Sequence, residues 1–156
     1  MNLRDFRTKY QIRLDLQTLR ICYDGIALMS KSLDPHHDKT HIQKILGDLD
    51  YLLTMVPNLA GRIKFDILLP AICWHDAWIS QQKSRGIIHL IYQQIVEGRQ
   101  SSNIFYYHAA SSLPYPQVQK ICYCIRKHSS LQLLPPLSIE AKILIDLDKL
   151  ELWNIY

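Results

Sequence analysis

Apolar residues recur along this chain at three- and four-residue spacing, and most interruptions fall at Pro35, Pro57, Pro70, Pro114, Pro116, Pro135 and Pro136. Such spacing lines apolar side chains along one face of an α-helix. Residues 3–31 read as one long helix or two shorter ones, with Leu16, Leu19, Cys22 and Ile26 on one face. The stretch SLDPHHDK breaks the pattern. A second helix is expected over about 39–56, with Ile42, Leu46, Leu49 and Leu53 as its stripe. A third covers about 62–81, and Pro70 inside it implies a kink or a start near 69. A fourth runs over about 84–97 and stops at Gly98; residues 99–114 read as a loop or a short helical turn. A fifth spans about 115–129 and a sixth about 138–153, where Ser138 suits an N-cap and Glu140 the first turn.

No segment alternates apolar and polar residues over strand length, so the expected fold class is all-α, a compact helical bundle of about six helices. Composition agrees. Five glycines and seven prolines among 156 residues fall below the ~12% of an average chain, which means few turns. The 48% apolar and 21% charged content excludes disorder. Net charge is +4, but the basic residues are scattered and form no stripe, so no nucleic-acid polymer is expected as a partner. The opening MNLRDFRTKY lacks the apolar run of a signal peptide, and the apolar stretch Ile67–Trp74 is too short for a membrane span. A cytoplasmic location is therefore expected, with Cys22, Cys73, Cys122 and Cys124 as buried thiols.

The chemistry lies in polar residues on apolar faces. Leu68, Ile72, His75 and Ile79 are spaced as one stripe, which puts His75 inward, with Asp76 turned by ~100° from it. Ile139, Ile143, Asp146, Leu150 and Trp153 form another stripe, which puts a carboxylate, Asp146, in a core seam. His41, Ile45, Asp48 and Leu52 make a row beside the second helix's stripe, and Val118, Ile121, Ile125 and His128 a row on the fifth. A charged carboxylate on an inward face costs several kcal/mol unless something compensates it. Inward His and Asp without Arg suit a divalent cation, though Asp146 could instead pair with Lys142 or Lys149. His36, His37, His89 and His108 read as solvated.

In order, DPHHDKTHIQKIL, LLPAICWHDAW, IRKHSS and KILIDLDKLE resemble the HD-domain superfamily of metal-dependent phosphohydrolases. The resemblance covers about 33–153, and makes 1–156 a single HD-like domain with 1–32 as an N-terminal helical extension. It implies His41, His75, Asp76 and Asp146 as metal ligands. Asp76 and His128 would be catalytic, and His128 and Lys149 would contact substrate. The implied cofactor is a divalent metal ion, Mn, Fe, Co, Ni or Mg, with Zn less favoured because no thiolate takes part. The implied activity is cleavage of a phosphate monoester, nucleotide or phosphodiester by a metal-activated water. The implied partner is a small phosphorylated substrate or nucleotide. His128 would stabilise charge on the phosphoryl oxygens or protonate the leaving oxygen, and Asp48 would orient His41. Ala77-Trp78 follow the His-Asp pair where many members carry a small residue and Gly. This departure motivates a second expectation, an inactive module of the same fold that binds a nucleotide or a protein. A plain helical scaffold is the third.

Overall fold

The computed structural model describes residues 1–33, 37–82, 86–129 and 135–153, with side chains described in all of these except 86–94 and 151–153. The chain is all-α. Its α-helices are α1 (Leu3–Lys9), α2 (Leu16–Met29), α3 (Lys39–Met55), α4 (Phe65–Trp74), α5 (Gly86–Ala109), α6 (Tyr115–His128) and α7 (Ile139–Trp153). Two 3-10 segments, Pro57–Arg62 and Ile79–Gln81, flank α4, and no strand occurs among the described residues. None of the helices searched is long and apolar enough to cross a membrane.

The stripes of α3 and α6 are buried as the spacing requires: Ile42, Leu46, Leu49 and Leu53 on α3, Val118, Ile121 and Ile125 on α6. Each such Leu or Ile removed from water contributes ~1.5–3 kcal/mol, which is what binds the periodicity to the fold. Leu3 and Phe6 of α1 and Ile21, Cys22 and Met29 of α2 join the same core. All four cysteines are free thiols and buried.

The N-terminal helical stretch is two helices. Asp15 caps α2, accepting hydrogen bonds from the Thr18 amide and hydroxyl. That cap fixes the start of α2 at Leu16, whose side chain is 81% exposed rather than inward. The third helix is shorter than its apolar pattern suggests. Pro70 sits inside α4 and has no N–H for the Asp66 carbonyl one turn back. Gln117 Nε2 on α6 donates to that carbonyl instead, at 3.2 Å, and α4 stays helical to Trp74.

The fourth helix is longer than expected, and residues 99–109 are helix rather than loop. Gly98 is not a stop. A Cβ there would lie 2.7 Å from the Arg126 carbonyl oxygen, so this glycine lets α5 and α6 pack backbone to backbone. Gly25 does the same for α2 against α4: a Cβ would fall 2.6 Å from Trp74 Nε1, which donates to the Ile21 carbonyl at 2.8 Å. Trp74 is thereby fixed toward α2, where it also meets Phe105 and His108. The residues that follow it are free to turn the other way.

Candidate metal centre

Three segments deliver the polar cluster. Asp38 caps α3 by accepting from the Thr40 amide at 2.7 Å, which sets the first turn and leaves His41 in it. His75 is the C-cap of α4, and the chain leaves the α-helix there through a tight turn in which the Ala77 amide donates to the Trp74 carbonyl. His75 keeps helical backbone angles (φ −58°, ψ −38°), and the two side chains nonetheless meet, with His75 Nε2 3.1 Å from Asp76 Oδ2. Both are buried, at 0% and 3%. The third segment is α7, and the residue it presents is Asp148.

His41 Nε2 lies 3.0 Å from His75 Nε2, 3.2 Å from Asp76 Oδ2 and 3.2 Å from Asp148 Oδ1. His75 Nε2 lies 3.1 Å from Asp76 Oδ2 and 3.5 Å from Asp148 Oδ1. The four residues offer ligand atoms that all fall within 4.8 Å of one another. Neighbouring ligands held ~2.1 Å from one ion are separated by ~3.0 Å in an octahedron and ~3.4 Å in a tetrahedron. Four of these five separations, 3.0–3.2 Å, lie in that range, and the fifth, 3.5 Å between His75 and Asp148, lies just beyond it.

Proton bookkeeping points the same way. His75 Nδ1 is 2.8 Å from the Ile72 carbonyl, which can only accept, so Nδ1 carries the proton. In the neutral ring this leaves Nε2 as a bare lone pair facing the cluster, the orientation a metal-ligating histidine takes. Asp76 Oδ2 is buried and makes no hydrogen bond of normal geometry. The donor set is therefore short of positive charge, and a proton or a metal ion meets that need. Burial alone would pull the His75 imidazole down, but Asp76 and Asp148 outweigh it and push it up to about 10. Burial would raise Asp76, and His75, His37, His128 and His41 overcome this to hold it well below the usual carboxylate range. Asp148 is likewise held low against its burial by His41 and His75.

Asp146 is not in this cluster. Its side chain is exposed. The inward seam of α7 is Ala141, Leu144 and Leu147, with Asp148 one turn beyond Leu144. The stripe through Ile143, Asp146 and Leu150 is inward only at its start: Ile143 is 6% exposed, but Leu150 is 48% exposed. Two residues of helix rotate a side chain by ~200°, so Asp146 and Asp148 point to nearly opposite faces.

The other sequence-expected residues divide. His128 is buried; its Nδ1 donates to the Ile125 carbonyl, its ring meets His75 edge-on at 5.1 Å, and its Nε2 is 3.5 Å from Asp76 Oδ1. Lys149 is exposed, and Asp48 is half-buried two turns along α3 from His41. His37 is not simply a solvated loop residue: it is half-buried, and its ring lies 5.9 Å from that of His41. His108 belongs to α5 and pairs with Asp24 at 3.0 Å. His36 and the His89 side chain lie outside the described residues.

One site residue carries no expectation from the sequence. Glu97 of α5 is 8% exposed, and its Oε1 is 3.8 Å from His128 Nε2. Burial raises its carboxyl to about 7, against the opposing pull of His128. The signal for it was Gly98, whose close approach to α6 brings the neighbouring side chain against that helix.

Compared with known protein families, with curated proteins and with solved structures, the chain matches none. Its fold and site define an all-α protein with a buried His/Asp group that could hold a metal ion.

Proposed function

We propose that this protein is a metal-dependent phosphohydrolase acting on a small phosphoester or nucleotide. The observation that carries the reading is the convergence of His41 from α3, His75 and Asp76 from the turn that ends α4, and Asp148 from α7, in the order His, His-Asp, Asp along the chain. A divalent ion there supplies Lewis acidity toward a phosphoryl oxygen and lowers the pKa of water.

The chain's own residues do the rest. His41 and His75 present Nε2, and Asp76 and Asp148 present carboxylate oxygens, two neutral and two anionic donors that suit Mn, Fe, Co, Ni or Mg. Asp148 is the most exposed of the four, its side chain 22% accessible, so substrate approaches from that side. The buried walls around His75 and Asp76 exclude bulk water, which strengthens charge stabilisation within. His128 is close enough to Asp76 to share in positioning charge or to move a proton at Nε2.

The test joins metal content to activity. Protein purified without chelator is assayed for bound metal and against a panel of phosphomonoesters, nucleotides and phosphodiesters with Mn²⁺, Ni²⁺ or Mg²⁺. Metal-stimulated turnover is expected in the wild type, with a loss of at least ~100-fold in His75→Ala and in Asp148→Ala while the helical circular dichroism persists. Turnover that survives both substitutions sinks the reading. Metal binding without turnover on the whole panel favours the inactive module.

A further inference from the structure

We propose that Trp78 is a specificity-determining residue of the site: its indole is a stacking face for a planar aromatic ring carried by the phosphoester, a nucleobase or a simple aryl group. The inference rests on the phosphohydrolase reading and narrows its substrate class.

The backbone sets Trp78 on the side of the candidate ligand His75. The Ala77 amide donates to the Trp74 carbonyl and the Gln81 amide to the Trp78 carbonyl, both at 3.1 Å, so the chain after α4 winds on in 3-10 fashion. His75 (φ −58°, ψ −38°) and Trp78 (φ −80°, ψ −47°) both keep helical angles within it. Residues three apart eclipse in a 3-10 turn and differ by ~60° in an α-helix. Trp78 therefore stands ~4.5–6 Å beyond His75 along the turn, on the same face. The turn is anchored on both flanks. Ser101 of α5 accepts from the Trp78 amide at 3.0 Å. The Ser80 carbonyl accepts from the Leu33 amide at 2.8 Å and from Ser32 Oγ at 3.1 Å, in the stretch that leads toward α3 and His41.

The two tryptophans that flank the His-Asp pair are used differently. Trp74 is 2% exposed, donates Nε1 to the Ile21 carbonyl, and packs its ring against Phe105 and His108. A buried indole is normally completed in this way. Trp78 is only half-buried, and among the described residues its indole has neither a hydrogen-bond acceptor nor a ring partner. Its hydrogen bonds are made by its backbone alone. An aromatic face with room for a guest thus lies one turn from His75, while Trp74 has none to offer. A ring joined to a phosphoryl group at the candidate ion would meet that face. Stacking on an indole recognises the flat ring and tolerates differences at its edges, so Trp78 selects for a ring-bearing ester rather than for one base.

The experiment uses the full chain with Mn²⁺ and three probes, adenosine monophosphate, phenyl phosphate and glycerol phosphate, each measured by calorimetric affinity and by turnover. Trp78→Leu is expected to lower the affinity for adenosine monophosphate relative to glycerol phosphate by ~5- to 150-fold, the range that loss of a stacking aromatic gives. Trp78→Phe should restore most of that ratio. If phenyl phosphate alone responds, the inference stands with an aryl group as the ring. Ratios unchanged for both ring-bearing probes in a folded Trp78→Leu protein overturn it. Should the Leu variant fail to fold, the Nε1–H signal of Trp78 in the wild type, assigned through Trp78→Phe, decides instead. A shift with a ring-bearing probe and none with glycerol phosphate sustains the inference, and an equal response to all three overturns it. Binding and turnover also separate it from the reading on which it rests. A Trp78-dependent preference in binding without turnover of any ester sustains the stacking role and sinks hydrolysis; turnover without ring preference does the reverse. A wild type that binds none of the three overturns the inference.

Discussion

Helix α7 carries two acidic side chains turned inward, Glu140 near its start and Asp148 two turns later, and they meet opposite kinds of partner. Glu140 is 6% exposed, and its Oε1 accepts from the Lys64 amide at 3.1 Å, just ahead of α4. That amide brings a proton and cannot lose it. Asp148 Oδ1 instead faces the Nε2 atoms of His41 and His75 at 3.2 and 3.5 Å, and the Nδ1 proton of His75 is already committed to Ile72. Burial therefore does not separate the two carboxylates; Glu140 is the more buried. The partners do. A carboxylate met by a fixed donor is complete, whereas one met by imidazole lone pairs needs a cation from outside the chain or a proton.

The largest expected effect follows from that difference. Mn²⁺ or Ni²⁺ at 100 times its dissociation constant should stabilise the wild type by ~2.7 kcal/mol, read as a shift in urea or thermal unfolding. Asp148→Ala should abolish the gain. Glu140→Ala should keep it, while lowering the metal-free baseline by ~1–3 kcal/mol because the Lys64 amide loses its acceptor. If the metal-dependent gain disappears from a folded Glu140→Ala protein as well, the two carboxylates are not different in kind.

The pH response sharpens the contrast. In protein held metal-free by chelator, His75 titrates at about 10 because Asp76 and Asp148 overcome its burial. A raised folded pKa adds stability that is fully present below the unfolded value, ~6.5, and is lost as pH climbs through about 10. Asp76 and Asp148 have depressed values, so their contribution is present above ~3.9 and is lost as pH falls further. Metal and proton then compete for His75 Nε2. Between pH 7 and 9, Mn²⁺ should bind more tightly as pH rises and should release protons, seen calorimetrically as a heat that varies with buffer ionisation enthalpy. A buffer-independent heat across that range would mean that His75 is already neutral.

How much of this was legible in the sequence depends on what each helix packs against. The stripes of α3, α4 and α6 could be read directly, because each has a nearly continuous apolar row, and His41, His75 and His128 fell in or beside those rows. Cysteine state and fold class followed from the same pattern. Gly98 misled, since a glycine that ends a helix and one that admits a neighbouring backbone look alike until the Arg126 carbonyl is seen beside it. Glu97 was hidden for the same reason, as an acidic residue beside a presumed helix end. His37 was hidden by the irregular stretch before α3, where no periodicity assigns a face.

Asp146 gives the smallest predicted effect and the sharpest test of the α7 assignment. The sequence KILIDLDKLE offers two aspartates two residues apart and apolar residues on all sides of the helix, so two stripes compete. The apolar count cannot separate Ile143–Asp146–Leu150 from Ala141–Leu144–Asp148; the packing does, through Ala141 and Leu144, both at 0% exposure, and Leu150 at 48%. Asp146→Ala removes an exposed carboxylate from the outer face. Its effect on stability should stay within about 0.5 kcal/mol, and Mn²⁺ affinity should match wild type, while Asp148→Ala loses the ion. Because the two substitutions delete the same chemical group two residues apart, they differ only in the direction the helix points it. Loss of the metal in Asp146→Ala with retention in Asp148→Ala would require α7 to be rotated by roughly half a turn from the orientation described, and would remove Asp148 from the site.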